Sequence, residues 1–245
     1  MSTINELEKL FTQGKITRRE FIARVSALGL MAAVSPALLG TSAQAAGPKR
    51  GGRIKLGSAG GSTTDSMDPG TLMHTMSQTI NQCLRNMLVE VDYQGNAVPE
   101  LAESWEATTG AAKWIFKLRK DVEFHNGKTM DAEDVIFSFN MHRGETKSAA
   151  KGVTEPITDI KADGKDTVIF TLQEGNADFP FVASDYHIPI IPKGTMGQEL
   201  EKGMGTGPFS MQTFEPGVRF LGKRNPNYFR EGRPYFDEVE IIGIA

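Results

Sequence analysis

The sequence predicts a mixed fold of the α+β (mixed α/β) class, and three observations carry that prediction. Short alternating segments around tight turns read as hairpins, most clearly at residues 157–172 with Asp163-Gly164 between the arms. Two segments instead space their apolar residues at helical intervals: Met73, Met76, Ile80 and Leu84, then Val135, Ile136 and Phe139. Finally, Gly203-Met204-Gly205-Thr206-Gly207-Pro208-Phe209 places three glycines and a proline where no helix or sheet interior can run. On its own that stretch reads as a glycine-rich loop joining strands.

In chain order, residues 1–16 carry a loose helical pattern of Ile4, Leu7, Leu10 and Phe11. Thr17-Arg18-Arg19-Glu20-Phe21-Ile22 follows, then an apolar run over 25–40 and the small-residue site Ala43-Gln44-Ala45. A charged start, an apolar middle and an A-x-A site make a secretory signal peptide over residues 1–45. The arginine pair just before the run marks the twin-arginine export route, with the translocase as a transient partner. The run contains Gly29, Ser35, Pro36 and Gly40 and is shorter than the roughly 20 apolar residues of a membrane span. No cysteine stands near the cleavage site, so a lipid anchor is not expected. The expected product is periplasmic and monomeric.

Five of the 27 basic and three of the 30 acidic residues precede Ala45, so the remainder has a net charge near −5. That balance argues against nucleic acid or an anionic membrane as partner, since both require a basic face. The single cysteine, Cys83, can form no internal disulfide and falls on an apolar-patterned helix.

After a polar linker at 48–52, residues 53–57 alternate as a short strand that runs into Ser58-Ala59-Gly60-Gly61-Ser62-Thr63-Thr64. Backbone amides of such a run can cradle an anion, but the lysine and spacing of a phosphate loop are missing. A turn at 65–70 leads into the helix predicted over 71–88, then a strand at 88–92 with its turn at 93–96. Residues 113–119 alternate as an edge-tolerant strand, and 122–128 read as a short strand entering an Asn-Gly turn. Asp131 caps the next helix, with Glu133 and Asp134 in the first turn where the helix dipole favours carboxylates. Beyond the hairpin, 177–183 are apolar and irregular, and the prolines of Ile188-Pro189-Ile190-Ile191-Pro192-Lys193 suit an edge strand. Strands at 209–214 and 218–223 flank Glu215-Pro216-Gly217.

Catalytic patterns are missing. His74, His125, His142 and His187 show no i, i+3 or i+4 spacing and no cysteine neighbour, so neither a metal nor a cofactor is called for. No G-x-S-x-G occurs. Ser184-Asp185-Tyr186-His187 is the one polar and aromatic cluster between apolar segments, either a surface turn or a ligand contact.

Three blocks then resemble the solute-binding proteins of ABC transporters, family 5, the group of oligopeptide-, dipeptide- and nickel-binding proteins. The first is Val98-Pro99-Glu100-Leu101-Ala102-Glu103-Ser104-Trp105-Glu106. The second runs from Trp114-Ile115-Phe116-Lys117-Leu118-Arg119 through His125-Asn126-Gly127 to Asp131-Ala132-Glu133-Asp134-Val135. The third joins Gly205-Thr206-Gly207-Pro208-Phe209 to Asn225-Pro226-Asn227-Tyr228 and Pro234-Tyr235-Phe236-Asp237. Phe229 stands where the family often has Trp.

The resemblance covers residues 51–245 and implies lobe I of a two-lobed periplasmic binding protein (type II), with an inserted β-rich subdomain around 90–190. It implies that the second lobe is absent, as in a fragment, a split gene product or a half-size protein. An acidic residue of that lobe holds the peptide's amino group in peptide-binding members, and no residue here inherits the role.

The implied function is capture of a small solute, most simply a peptide, for delivery to a membrane permease, with weak binding by one lobe alone. Placement nominates Ser58, Ala59 and Gly60 after the first strand, Asp185, Tyr186 and His187, and Gly205, Thr206 and Gly207 as ligand contacts. Glycine at 205 and 207 would let backbone approach a ligand closely. A sensory module docking on a receptor is the alternative, and an exported hydrolase a more distant one.

Overall fold

The computed structural model describes residues 4–13, 15–27 and 48–244. The expected cleavage site at 43–45 and most of the apolar run before it lie outside the described residues. The chain divides into two compact units, Met1–Lys49 and Arg50–Ala245. In the first, helices α1 (Ile4–Thr12) and α2 (Arg18–Ala27) share a small core of Leu7, Phe21 and Val25.

The second unit begins with β1 (Arg53–Ser58), helix α3 (Thr75–Leu84), and the short strands β2 (Val89–Val91) and β3 (Ala97–Pro99). β4 (Ala102–Ala107), β5 (Lys113–Leu118), α4 (Ala132–Asn140) and the single turn α5 (Lys151–Thr154) follow. Then come β6 (Ile157–Ala162), β7 (Thr167–Leu172), α6 (Phe179–Val182), β8 (Phe209–Glu215), β9 (Arg219–Arg224) and β10 (Glu238–Gly243). One four-stranded sheet is ordered β4-β5-β7-β6 and is antiparallel throughout. The other, β1-β10-β9-β8, pairs its first and last strands in parallel. The expected mixed α/β class is what is observed.

Alternation explains the antiparallel sheet. Trp114, Phe116 and Leu118 of β5 and Val168, Phe170 and Leu172 of β7 are buried on one face. Phe139 of α4 and Phe179 of α6 close on them, with the Phe139–Phe170 and Phe170–Phe179 rings 4.8 and 5.2 Å apart. Each such ring contributes on the order of 2 kcal/mol through burial. α4 starts where Asp131 accepts from the Glu133 and Asp134 amides while Asp134 accepts from the Asp131 amide, a complete capping box. Asp134 is fully buried and also takes Lys128 Nζ at 2.6 Å and the Lys193 amide at 2.7 Å.

α3 covers the mixed sheet through Met76, Ile80 and Leu84, which pack with Phe209, Phe220, Val239 and Ile241. It is shorter than the helix predicted over 71–88. Asp68 caps a 3₁₀ turn at Pro69–Thr71 before it, and Arg85 turns extended at φ −138° after it. Cys83 lies on this helix, and burial pushes its thiol up to about 12.

Three other expectations change. Residues 188–193 form no strand, because Pro189 and Pro192 have no amide to offer a ladder. The Ile190 amide goes instead to the Asn86 carbonyl at 2.9 Å and the Ile191 amide to Ser138 Oγ at 2.9 Å. The segment before Asn126-Gly127 makes a single bridge, Glu123 to Thr129, rather than a strand pair. The irregular stretch at 177–183 contains the helical turn α6.

Candidate functional site

Parallel pairing of β1 with β10 brings their carboxyl ends together, Ser58 opposite Gly243, with the Ile244 amide donating to the Ser58 carbonyl at 2.9 Å. The β8–β9 turn arrives at the same end, where the Gly243 amide donates to the Val218 carbonyl at 2.8 Å. In open α/β sheets this end is where ligands collect. The Gly/Ser/Thr run leaves β1 here and crosses to the start of α3. A Cβ on Gly61 would stand 2.9 Å from the Met76 sulfur and 3.0 Å from the Gly217 carbonyl oxygen, so only glycine fits between helix and turn.

Polar anchors hold the run from below. Asp65 accepts from the Ser62 amide at 3.0 Å and meets His74 Nδ1 at 2.7 Å. Glu201 accepts from Ser66 Oγ and, at 3.0 Å, from the Met67 amide. Arg85 is 1 % exposed and donates to four oxygens: Met67 O at 2.7 Å, Asn81 Oδ1 at 3.1 Å, Leu200 O at 3.1 Å and Met204 O at 3.0 Å. Burial pulls its guanidinium down to about 10, offset by Asp68 and Glu201, so it stays charged at neutral pH. The upper side of the run is open. Ala59, Gly60, Thr63 and Thr64 are exposed, and so are the apolar side chains of Met73, Val218 and Ile244, at 66 %, 47 % and 53 %.

The nominated residues fall into three places. Ala59 and Gly60 lie on this open shelf and Gly60 abuts Thr75, while Ser58 is buried beneath it. Asp185, Tyr186 and His187 reach the same helix six residues further on, where Asn81 Nδ2 donates to the Tyr186 carbonyl at 3.1 Å. Asp185 pairs with His187 Nδ1 at 2.8 Å, the Tyr186 and His187 rings lie 3.9 Å apart, and the buried His187 Nε2 has no hydrogen-bond partner among the described residues. Burial pushes nearby His142 down to about 4, with His187 adding to the shift.

Gly205, Thr206 and Gly207 turn inward, which corrects the reason expected for them. A Cβ on Gly207 would collide with the Leu84 carbonyl carbon and stand 2.6 Å from the Arg85 amide nitrogen. One on Gly205 would collide with the Leu84 oxygen. The Gly207 amide donates to Leu84 O at 2.9 Å, and Thr206 Oγ1, 1 % exposed, donates to Asn86 Oδ1 at 3.0 Å. The His125 amide donates to Gly205 O at 2.9 Å and Asn225 Nδ2 to Gly207 O at 3.0 Å. The close approach that glycine permits is made by the end of α3, and the Gly207 amide and the Gly205 and Gly207 carbonyls are already bonded within the fold.

A cavity of about 390 Å³ opens at the opposite, C-terminal end of α3, lined by Asn86, Glu90, Glu100, Tyr228 and Arg230 among others. Its polar groups satisfy one another. Glu100 accepts from Asn86 Nδ2 at 2.7 Å and the Met87 amide at 2.9 Å, and Arg230 stands 3.6 Å away while bonded to Glu90. Burial pushes the Glu100 carboxyl up from 4.5 to about 7, against the pull of those hydrogen bonds. The folded chain therefore holds a proton in that window that the unfolded chain has released, and stability falls as pH rises through it. Glu100→Gln is expected to remove a loss on the order of 2 kcal/mol between pH 4.5 and 7. Urea unfolding of both proteins across that range checks it; parallel curves would refute the assignment.

Sequence reasoning found the run at 58–64 but missed the exposed apolar side chains of Met73, Val218 and Ile244. Val218 beside a Pro-Gly turn was the one available signal. It also missed Arg85, whose partners are backbone oxygens that leave no trace in a sequence.

Comparison with known proteins agrees with this geometry. Residues 96–245 match the family described as bacterial extracellular solute-binding proteins, family 5 Middle. The oligopeptide-binding protein AppA of Bacillus subtilis (strain 168) is 30 % identical over 204 residues, covering 78 % of this chain and 37 % of AppA. Di/tripeptide-binding protein 1 of Pseudomonas aeruginosa (strain UCBPP-PA14) is 26 % identical, covering 88 % and 44 %. The solved structure of B. subtilis AppA in complex with a nonapeptide superposes with a TM-score of 0.72 at 27 % identity, over 80 % of this chain and 41 % of that one. The chain thus spans about two fifths of the length of these relatives and corresponds to a single lobe of their fold. It belongs to the family 5 bacterial extracellular solute-binding proteins.

Proposed function

We propose that residues 48–244 form one wall of a solute-binding cleft, that the solute is a short peptide, and that it is passed to an ABC permease in the inner membrane. The observation that carries this is the open shelf at the carboxyl ends of β1 and β10. Ala59, Gly60, Gly61, Thr63 and Thr64 are exposed there, and Met73, Val218 and Ile244 are exposed apolar side chains of the same unit. A solvent-exposed turn of small and hydroxyl residues lets a peptide backbone approach closely, and exposed apolar side chains suit desolvated ligand side chains. The peptide-binding names of the relatives point the same way. Export through the twin-arginine pathway, with cleavage near Ala45, would place the chain in the periplasm. Asp185, Tyr186 and His187 form the second contact along α3.

One wall buries one side of a ligand, so affinity should be low. Titrating ¹⁵N-labelled protein with tri- and pentapeptides is expected to shift amides at 59–64, 73–75 and 217–218 at millimolar concentrations. Calorimetry should show far weaker binding than to a full-length relative. Shifts centred on 82–91 and 228–230 would move the site to the cavity; equally tight binding by both proteins would refute the one-wall argument.

A further inference from the structure

The first unit carries a feature that an export signal alone does not require. α2 begins at a capping box, in which Thr17 N donates to Glu20 Oε2 at 2.8 Å and the Glu20 amide donates to Thr17 Oγ1 at 3.2 Å. Arg18 and Arg19 therefore occupy the first turn of a helix, and the Arg19 side chain is exposed. The apolar side of that helix is closed. Phe21 is 1 % and Val25 0 % exposed, packed on Leu7 and Phe11 of α1, and the Phe11 and Phe21 rings stack at 5.0 Å and 19°. Helices of 9 and 10 residues are marginal on their own in water, so each depends on the other. Val25 is also the residue at which the apolar run over 25–40 starts.

We propose that α1 is a clasp on the export signal. It holds the backbone of the arginine pair on a pre-formed turn and covers the start of the apolar segment until the export machinery displaces it. The proposal rests on reading residues 1–45 as an export signal. Its partner is the receptor that engages the arginines, and the energy of that contact opens the hairpin. Opening then frees Phe21 and Val25 for an apolar environment, so the segment is not offered to water or to other membranes beforehand.

The test uses the full-length precursor carrying Cys83→Ala and Val25→Cys. The thiol at 25 is expected to react with a water-soluble maleimide about tenfold faster once Leu7→Glu is added, as loss of a local closed state requires. In cells, Leu7→Glu is expected to speed conversion of precursor to mature protein several-fold. Equal thiol rates would overturn the clasp. Unchanged or slower conversion with an exposed thiol would overturn its gating role. Arg18→Lys with Arg19→Lys separates the underlying reading: normal export of that variant sinks the twin-arginine route, while the thiol rates still report the hairpin.

Discussion

Arg85→Met is expected to destabilise the second unit by about 4 kcal/mol. The substitution keeps most of the volume and strips the partner from Met67 O, Leu200 O, Met204 O and Asn81 Oδ1. A buried acceptor left without a partner costs about 1–3 kcal/mol, and relaxation will recover part of the sum. Methionine regains some of the desolvation spent on burying a charge, which sets an upper limit on the loss. Lys202→Met, which removes an ion pair to Glu199 with both side chains 60 % exposed, should change stability by less than about 1 kcal/mol. Urea unfolding of the three proteins side by side checks the contrast. Equal midpoints for Arg85→Met and the parent would show that the guanidinium is not what joins these segments.

Gly207→Ala should be at least as damaging, at about 3–5 kcal/mol. The added methyl meets the Leu84 carbonyl carbon and the Arg85 amide, which are backbone atoms at the end of a packed helix and cannot swing aside. Overpacking against movable side chains costs about 1–3 kcal/mol, and a rigid neighbour raises that. The Gly207 amide bond to Leu84 O would be lost with the shift. Gly127→Ala is the informative comparison, because no described atom beyond its chain neighbours lies within 4 Å of an added Cβ and only its φ of +81° is at stake. A penalty of about 1 kcal/mol is expected there. If the two alanine variants unfold at the same denaturant concentration, backbone conformation and not close approach explains Gly207.

These two positions mark what could be read from the sequence and what could not. Alternation at 113–118 and 167–172, the Asp131 capping box and the Pro-Gly turn at 216–217 are local signals, and each produced its element. The strand expected at 188–193 failed because apolar composition outweighed the missing amides of Pro189 and Pro192. The glycines at 205 and 207 were legible as places of close approach, but not which group approaches. That answer lies in Leu84 and Arg85, more than a hundred residues earlier in the chain. The shelf at 58–64 was legible because glycine, serine and threonine cluster in sequence. The approach of Val218 and Ile244 to it was not, because β10 and the β8–β9 turn reach Ser58 only when the sheet forms.

That parallel pair has a temporal consequence. Arg53 and Glu238, joined at 2.7 Å, are 185 residues apart. At roughly 5–20 residues per second, synthesis separates their appearance by about 10–40 s. During that interval β1 has no neighbour in its sheet, since β10 is the only strand it pairs with among the described residues. The mixed sheet therefore cannot close while the chain is still being made through this region, whereas the β4–β7 sheet can. Nascent chains stalled before residue 238 should carry a finished antiparallel sheet and an unpaired first strand.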